Sequence, residues 1–405
     1  METLRDVLTD QARRFEGKIF LEYGRKRFSF GVLDERTDRV ATGLNRLGLR
    51  PGDRVMLLLS NRPEFIFFFL GAPKLGFIPV PINPEDSIEN IEFILEHGGA
   101  AALVTEKRFR ALKPRIPKTT CWIEVDNDLF QRPPFHGLSS GPVLGFWPDL
   151  SADDPALIYY VHELSGTLKP VVLTHRNLLS NCSQMIPPFR MNETDRFLCA
   201  TPLCSLETQV LLVLAPLLAG GCCVLPEPHS SDMVREISDQ QISVLAGSPD
   251  FYKAISESAD FSRIDLFSLR LAICHSGPAG DVLLRIFQEQ HDALMVEAYS
   301  RAEATCLCFA NPYTGVRKSG SLGIPLPGLK CEIINDQGRE ARQGAVGEIC
   351  VSGPNVMKGY YRDSEGTEQA IRNGWLRTGD FGYIDSDGYY WIAGNAGDSA
   401  AAGSL

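Results

Sequence analysis

The chain has 405 residues, 44% hydrophobic and 22% charged, which is long and apolar enough to bury the cores of two or three packed units. Its formal net charge of −10, with no cluster of Lys and Arg, argues against a polyanion-binding surface, so no nucleic-acid partner is expected. The eleven cysteines are odd in number, contain no C-x-x-C pair and mostly sit in apolar runs such as Gly221-Cys222-Cys223-Val224-Leu225, so they read as reduced core residues, not as a disulfide framework, a zinc site or a catalytic thiol.

Met1 is followed by Glu-Thr-Leu-Arg-Asp-Val, with no basic start leading into an apolar stretch, and a cytoplasmic location is expected. The first strand-like run is Arg54 to Leu59. Phe65 to Leu70, then Gly76 to Ile82, are apolar but interrupted by Pro73 and Lys74. Neither half reaches bilayer length, so a buried helix followed by a strand is predicted and no membrane span. Further short apolar runs follow at Ala101 to Val104, Ala156 to Tyr160, Cys222 to Leu225, Val244 to Ala246 and Leu271 to Ile273, separated by helical patterns. That alternation predicts an α/β fold with mostly parallel sheets. Lys118 to Pro148, with Pro133-Pro134 and Gly141-Pro142, reads as the joint between two α/β subdomains. From Gly320 onward, short strands such as Glu332 to Asp336 and Gly347 to Val351 alternate with glycine turns, which predicts a small β-rich unit. The expected division is 1–150 for the first α/β subdomain, 151–316 for the second, 317–394 for the β-rich unit and 395–405 for a hinge and short tail.

His162-Glu163 suggests a zinc protease only until the spacing is checked: the second histidine of H-E-x-x-H falls at Gly166. Other motifs are distributed along the whole chain. They include Phe28-Ser29-Phe30-Gly31, Gly52-Asp53-Arg54-Val55, Asn61 to Phe65, Asn83-Pro84, Leu173 to Leu178, Ser321 to Gly328 and, near the end, Gly374-Trp375-Leu376-Arg377-Thr378-Gly379-Asp380. In order and spacing the set resembles the adenylate-forming ligases, the family of AMP-forming acyl-CoA synthetases, luciferases and peptide-synthetase adenylation domains.

The resemblance implies the large N-terminal domain of that fold, two layered α/β subdomains plus a small β-rich one. The sequence ends where the family's C-terminal domain begins, so that domain is expected to be absent. It also implies a reaction in which a fatty or aryl carboxylate attacks the α-phosphate of Mg-ATP. An acyl-adenylate and pyrophosphate result, and a thiol of CoA or a carrier protein then takes the acyl group.

Aligned on His175, the family's phosphate loop falls on Val161 to Pro170, where only Gly166, Lys169 and one hydroxyl survive in register; the resemblance implies Lys169 as a catalytic cation and Gly166 and Thr167 as nucleotide contacts. Glu163 introduces a negative charge there, and Pro170 removes an N–H and a glycine's freedom. The remnant is either an ordinary surface turn or a loop that still touches nucleotide. In Tyr299-Ser300-Arg301-Ala302-Glu303, the resemblance implies that Tyr299 lies against adenine and Glu303 places Mg²⁺ as a catalytic and metal residue. Ala302 lacks the family's threonine hydroxyl, and Ser300 replaces a glycine.

Ser276 and Gly277 match the other face of the adenine slot, and Asp380 matches the acceptor of both ribose hydroxyls. Gly394-Asn395-Ala396-Gly397-Asp398 carries Asn395 where the family has arginine, and Asp398 falls at its hinge. Pocket residues are expected from Pro202 to Val210, Ser248 to Tyr252 and Cys274 to Tyr299, with Ser205, smaller than the family's usual residue, and Cys274 as candidates. A face left open by the missing domain is expected to bind a partner protein or a second copy.

Losing one preorganised donor to developing charge usually costs roughly 10²–10³ in rate. Efficient ligation by the chain alone is therefore not expected. Three readings stay open: a ligase whose small domain comes from elsewhere, a non-catalytic descendant that binds a nucleotide, an acyl ligand or a partner, and a decaying product with no selected role.

Overall fold

The computed structural model describes residues 3–118, 120–126, 142–145, 147–163, 166–227 and 232–395. Asp398 and most of the 118–148 segment lie outside the described residues. Among those described, no helix is long and apolar enough to cross a membrane.

The first sheet is parallel and four-stranded, in the order Ile78–Pro81, Arg54–Leu58, Ala100–Thr105, Cys121–Glu124. Its two central strands are apolar and buried almost throughout, as strands covered on both faces must be. The phenylalanine-rich run forms the helix Pro63–Gly71, begun by a proline at its first position, where no N–H is needed. Phe65, Phe68 and Phe69 are fully buried, and each contributes about 1.5–3 kcal/mol by leaving water. Pro73 and Lys74 fall in a 3₁₀ turn, Ala72–Leu75. The Lys74 ammonium is buried but paired with Asp34 at 2.5 Å and Asp38 at 2.6 Å, so its charge is matched.

A nine-stranded sheet follows, in the order Ile324–Pro325, Leu307–Ala310, Leu294–Ser300, Leu271–Cys274, Val244–Gly247, Arg196–Leu198, Cys222–Leu225, Ile19–Tyr23, Lys26–Ser29. Its centre is parallel and its outer pairs antiparallel. The hairpin Pro155–His162 and Leu168–Thr174 forms a smaller sheet with Gly359–Tyr360. An antiparallel sheet of Lys330–Ile334, Gly347–Ser352, Trp375–Ile384, Ile371–Arg372 and Tyr390–Asn395 makes the β-rich unit.

Two expectations change. The strand Ile19–Tyr23 pairs with Cys222–Leu225, so residues before the boundary at 150 complete the second sheet, with Phe20 and Leu21 buried in a core shared with residues of the first. The segment read as a joint from Lys118 contributes the strand Cys121–Glu124 to the first sheet before it leaves that sheet.

The helix His175–Met185 starts on a reciprocal cap between Thr174 and Asn177. The Asn177 amide also donates to Pro354 O and Val356 O, both at 2.8 Å, tying the hairpin to the loop before Gly359. In the parallel centre of the large sheet, the loops at the carboxyl ends of Leu271–Cys274 and Leu294–Ser300 open on one side, where α/β sheets place their sites.

Candidate active site

The loop after Leu271–Cys274 turns sharply. Ser276 has φ +64°, a left-handed conformation uncommon outside glycine, and Gly277 follows at +151°. The turn is fixed from behind by Glu297, whose carboxylate accepts from Ala279 N and from Gly320 N, both at 2.9 Å. One buried acid thus joins two loops that line the same cavity of about 560 Å³. Ser276 to Pro278, Tyr299, Arg301, Gly320 to Leu322, Asp380 and Ile392 form its walls.

Asp380 reaches this wall from Trp375–Ile384 through Gly379, at φ +77°. The rest of its motif holds it in place. Arg377 pairs with Glu348, which also accepts from Gly379 N at 3.1 Å, and the buried Thr378 hydroxyl donates to Ile349 O at 2.8 Å. Thr378 Oγ1 in turn accepts from Asp380 N at 3.1 Å. The Tyr299 hydroxyl donates to Asp380 Oδ2. Burial, with the Asp380 charge adding to it, raises the Tyr299 phenol well above its ordinary range, so it stays a donor.

Tyr299, Ser276, Gly277 and Asp380 therefore line one cavity. The other expected residues do not join them on this wall. A second cavity of about 740 Å³, lined by Tyr159, Val161, His162, Glu163, Glu207 and Glu303, shares Ser276, Ser300 and Arg301 with the first. Glu303 faces it with both oxygens engaged: the Tyr360 hydroxyl donates to Oε1 at 3.0 Å, and Arg301 Nε lies 3.7 Å from Oε2. That departs from the expected metal role, since Mg²⁺ needs a near-octahedral set of oxygens and here a cationic side chain already stands beside the acid.

Lys169 also departs from its expected role. Its ammonium is paired with Glu163 at 2.6 Å and lies over the Tyr360 ring at 5.4 Å. Glu163 N donates to Thr167 O, and Gly166 N, at φ +82°, donates to Glu163 O, both at 2.9 Å, so the described ends of the remnant loop are hydrogen-bonded to each other. Pro170 sits within the strand opposite Tyr160.

Of the pocket candidates, Cys274 is fully buried in a core cluster with Tyr252 and Phe287, where burial pushes its thiol up to about 12. Its thiol reaches the cavity turn from behind, donating to Gly277 O at 3.8 Å. Ser205 instead reaches the second cavity through a partner, its hydroxyl donating to Glu207 Oε2 at 3.0 Å, while Ser300 donates to Glu207 Oε1 at 3.3 Å.

Two site residues had escaped the sequence reading, Arg301 and Tyr360, while Glu207 lay inside the expected pocket segment Pro202 to Val210 without being singled out. A charge inside a motif was a usable signal for Arg301. Glu207 immediately precedes a buried π-helical segment, Thr208–Leu214, a rare element often found at functional sites. Tyr360 gave no local sign.

The nucleotide half of the expected cofactor fits these walls, with an aromatic ring, a glycine turn and a carboxylate around one cavity. The metal-bound polyphosphate half does not fit, because the second cavity collects Glu163, Glu207 and Glu303 against Arg301.

Comparison with known proteins agrees with this architecture. A sequence model of the AMP-binding enzyme family matches residues 8–361. The chain is 30% identical over 384 residues to 4-coumarate–CoA ligase 3 of Oryza sativa subsp. japonica, covering 90% of this chain and 68% of that protein. It superposes on ATP-bound MatB from Rhodopseudomonas palustris with a TM-score of 0.87 at 27% identity, covering 98% of this chain and 80% of that one. The anthranilate CoA ligase AuaEII, solved with anthranoyl-AMP, shares the fold at a TM-score of 0.90 and 24% identity, over 98% of this chain and 78% of that one. The chain belongs to the AMP-binding enzyme family and, within it, to the AMP-forming acyl- and aryl-CoA ligases.

Proposed function

We propose that this chain binds the adenosine monophosphate part of an adenine nucleotide between Tyr299 and the Ser276–Gly277 turn, with Asp380 accepting from the ribose hydroxyls, and that its own acid–thiol ligation is weak. The observation that carries the reading is the meeting of Tyr299 and Asp380 on one cavity wall, braced by Glu348 and Glu297. Charge-assisted hydrogen bonds of the kind Asp380 would accept are worth about 1.5–3 kcal/mol each.

Weak ligation follows from the hairpin. Lys169 is neutralised by Glu163, Ala302 has no hydroxyl, and the acid-lined second cavity repels a departing pyrophosphate. ATP would supply the activating adenylyl group of the family's reaction, with pyrophosphate leaving, and CoA or a carrier thiol would be the acceptor of the acyl group. The 4-coumarate-named relative supports an aryl acid as the substrate.

Calorimetric titration with AMP tests the reading, using Asp380→Ala as the control. Saturable binding that the variant loses is the expected result. The absence of binding to the wild-type chain refutes it. Acid-dependent pyrophosphate exchange then measures ligation, and brisk exchange by the unaltered chain would overturn the claim of weakness.

A further inference from the structure

Arg301 stands where the two cavities join and lines both. Nη2 donates to Thr378 O at 2.6 Å, while Nη1 lies 3.7 Å from Asp380 Oδ2 and Nε 3.7 Å from Glu303 Oε2. Distances of 3.7 Å are ion pairs and too long for hydrogen bonds. Nε is buried with no hydrogen-bond partner, and Nη1 makes no hydrogen bond among the described residues. The side chain nevertheless keeps 35% of its surface open. Burial opposes its charge, but Glu303, Tyr299 and Asp380 outweigh that and hold the guanidinium charged. A rigid fork of donors, anchored at one end and uncommitted at the other, matches the geometry of a phosphoryl group.

We propose that Arg301 is a phosphate ligand. It binds the 5′-phosphoryl group of an adenylate seated at Tyr299 and Asp380, in place of a divalent cation on Glu303, so the chain takes adenosine monophosphoryl ligands without metal and in preference to Mg-ATP.

The inference rests on the nucleotide reading above and adds the substrate's charge state to it. With the ribose at Asp380, the 5′-substituent lies toward the junction that Arg301 occupies. A divalent cation on Glu303 would sit against the guanidinium and meet repulsion. A β- or γ-phosphate would extend into a cavity that presents Glu207 and Glu303, with the Glu163 charge already matched by Lys169. One cation suffices for one phosphate, and among the described residues lining the second cavity Arg301 is the only Lys or Arg.

The test is calorimetry of the full chain with adenosine, AMP, adenosine 5′-O-methyl phosphate and Mg-ATP, in EDTA and in excess Mg²⁺. AMP should bind about tenfold to a hundredfold tighter than adenosine, in EDTA and Mg²⁺ alike, and tighter than Mg-ATP. Arg301→Gln should bring the AMP-to-adenosine affinity ratio close to one, and Arg301→Lys should retain part of the advantage. Retained adenosine binding also shows that each variant is folded.

The methyl ester carries the single charge of an acyl adenylate. Binding equal to AMP supports an acyl adenylate as the natural ligand, and weaker binding supports free AMP. Tightening of AMP more than about tenfold by Mg²⁺, or an AMP-to-adenosine ratio that survives Arg301→Gln, overturns the assignment. If wild-type chain binds neither adenosine nor AMP, the nucleotide reading itself fails and this one with it. Binding of adenosine with no gain for AMP sinks the role of Arg301 alone.

Discussion

Glu163→Gln should convert the hairpin from a neutral turn into a cationic one. In the folded chain the Lys169 ammonium and the Glu163 carboxylate lie 2.6 Å apart, with 37% and 35% of their side chains exposed. Exposed pairs of this kind are worth about 0–1 kcal/mol, so the midpoint of urea unfolding should hardly move. Ligand binding responds differently, because the pair is nearly invisible to an approaching polyphosphate, whereas the freed ammonium is a full unit charge. At about 5 Å, two unit charges interact by roughly 0.8 kcal/mol in water and about 3 kcal/mol at an effective dielectric of 20. Partial exposure and salt screening place the gain near 1–2 kcal/mol, or roughly five- to thirtyfold in Kd for ATP. AMP, which does not reach the hairpin, should gain almost nothing. Calorimetry of ATP and AMP against wild type, Glu163→Gln, Lys169→Gln and the double variant closes a cycle that isolates the pair. An ATP-to-AMP ratio that shifts less than about twofold in Glu163→Gln would show that Glu163 does not restrain Lys169, and the account of the hairpin would have to be abandoned.

Other consequences can be checked in the same preparations. His175 is fully buried, with Nδ1 accepting from Leu4 N at 3.1 Å and Nε2 without a partner, and burial lowers it from 6.5 to about 4, against opposing pulls from Asp154 and Asp6 and with Arg5 assisting. The unfolded chain therefore binds the extra proton first, and stability present above pH 6.5 is lost as pH falls toward 4, by up to about 3 kcal/mol from this group. Denaturant melts of wild type and His175→Gln across that window should show a shallower pH slope in the variant. Glu297→Gln removes the charge that two loop amides share, and should cost about 1.5–3 kcal/mol in urea unfolding together with a weaker AMP Kd. Unchanged AMP binding would show that the loops hold their shape without it. Tyr360→Phe deletes the donor to Glu303 Oε1 and should destabilise the chain by about 1.5–3 kcal/mol while leaving adenosine binding intact, again read by denaturation and calorimetry.

What the sequence disclosed depended on how local the physics was. The strands Arg54–Leu58, Ala100–Thr105 and Cys222–Leu225 are short, continuous and apolar because both faces are covered, and that signal needs no partner to be read. The helix Pro63–Gly71 was equally plain, since its proline start and its phenylalanines all serve one buried cylinder. Pairing was not local. Nothing in Ile19–Tyr23 announces that its neighbour lies two hundred residues on in Cys222–Leu225, and the subdomain boundary failed there for that reason. The burial of Cys274 was not legible in the same way, because a strand gives two faces and its residues alone do not say which is the core.

The site followed the same division. Asp380 and Tyr299 lie 81 positions apart yet were both legible, because each sits in a motif whose neighbours, such as Thr378 and Gly379, exist to hold it. Arg301 was the converse case. Comparing its motif with the family pattern draws attention to what Ala302 lacks, and a loss at one position is easily counted as a loss of function. The adjacent gain carries the opposite sign: a guanidinium set between Asp380 and Glu303 supplies positive charge at the junction where a metal-bound phosphate was expected. Charge at such a junction is a sum over whatever side chains converge on it. The pairing of Lys169 with Glu163 and the convergence of Arg301 on Asp380 and Glu303 thus have to be read together, the first withdrawing a cation from the far end of the site and the second placing one at the near end. That redistribution favours a short anion over a long one, and it is a property of three strands and two loops that no single motif contains.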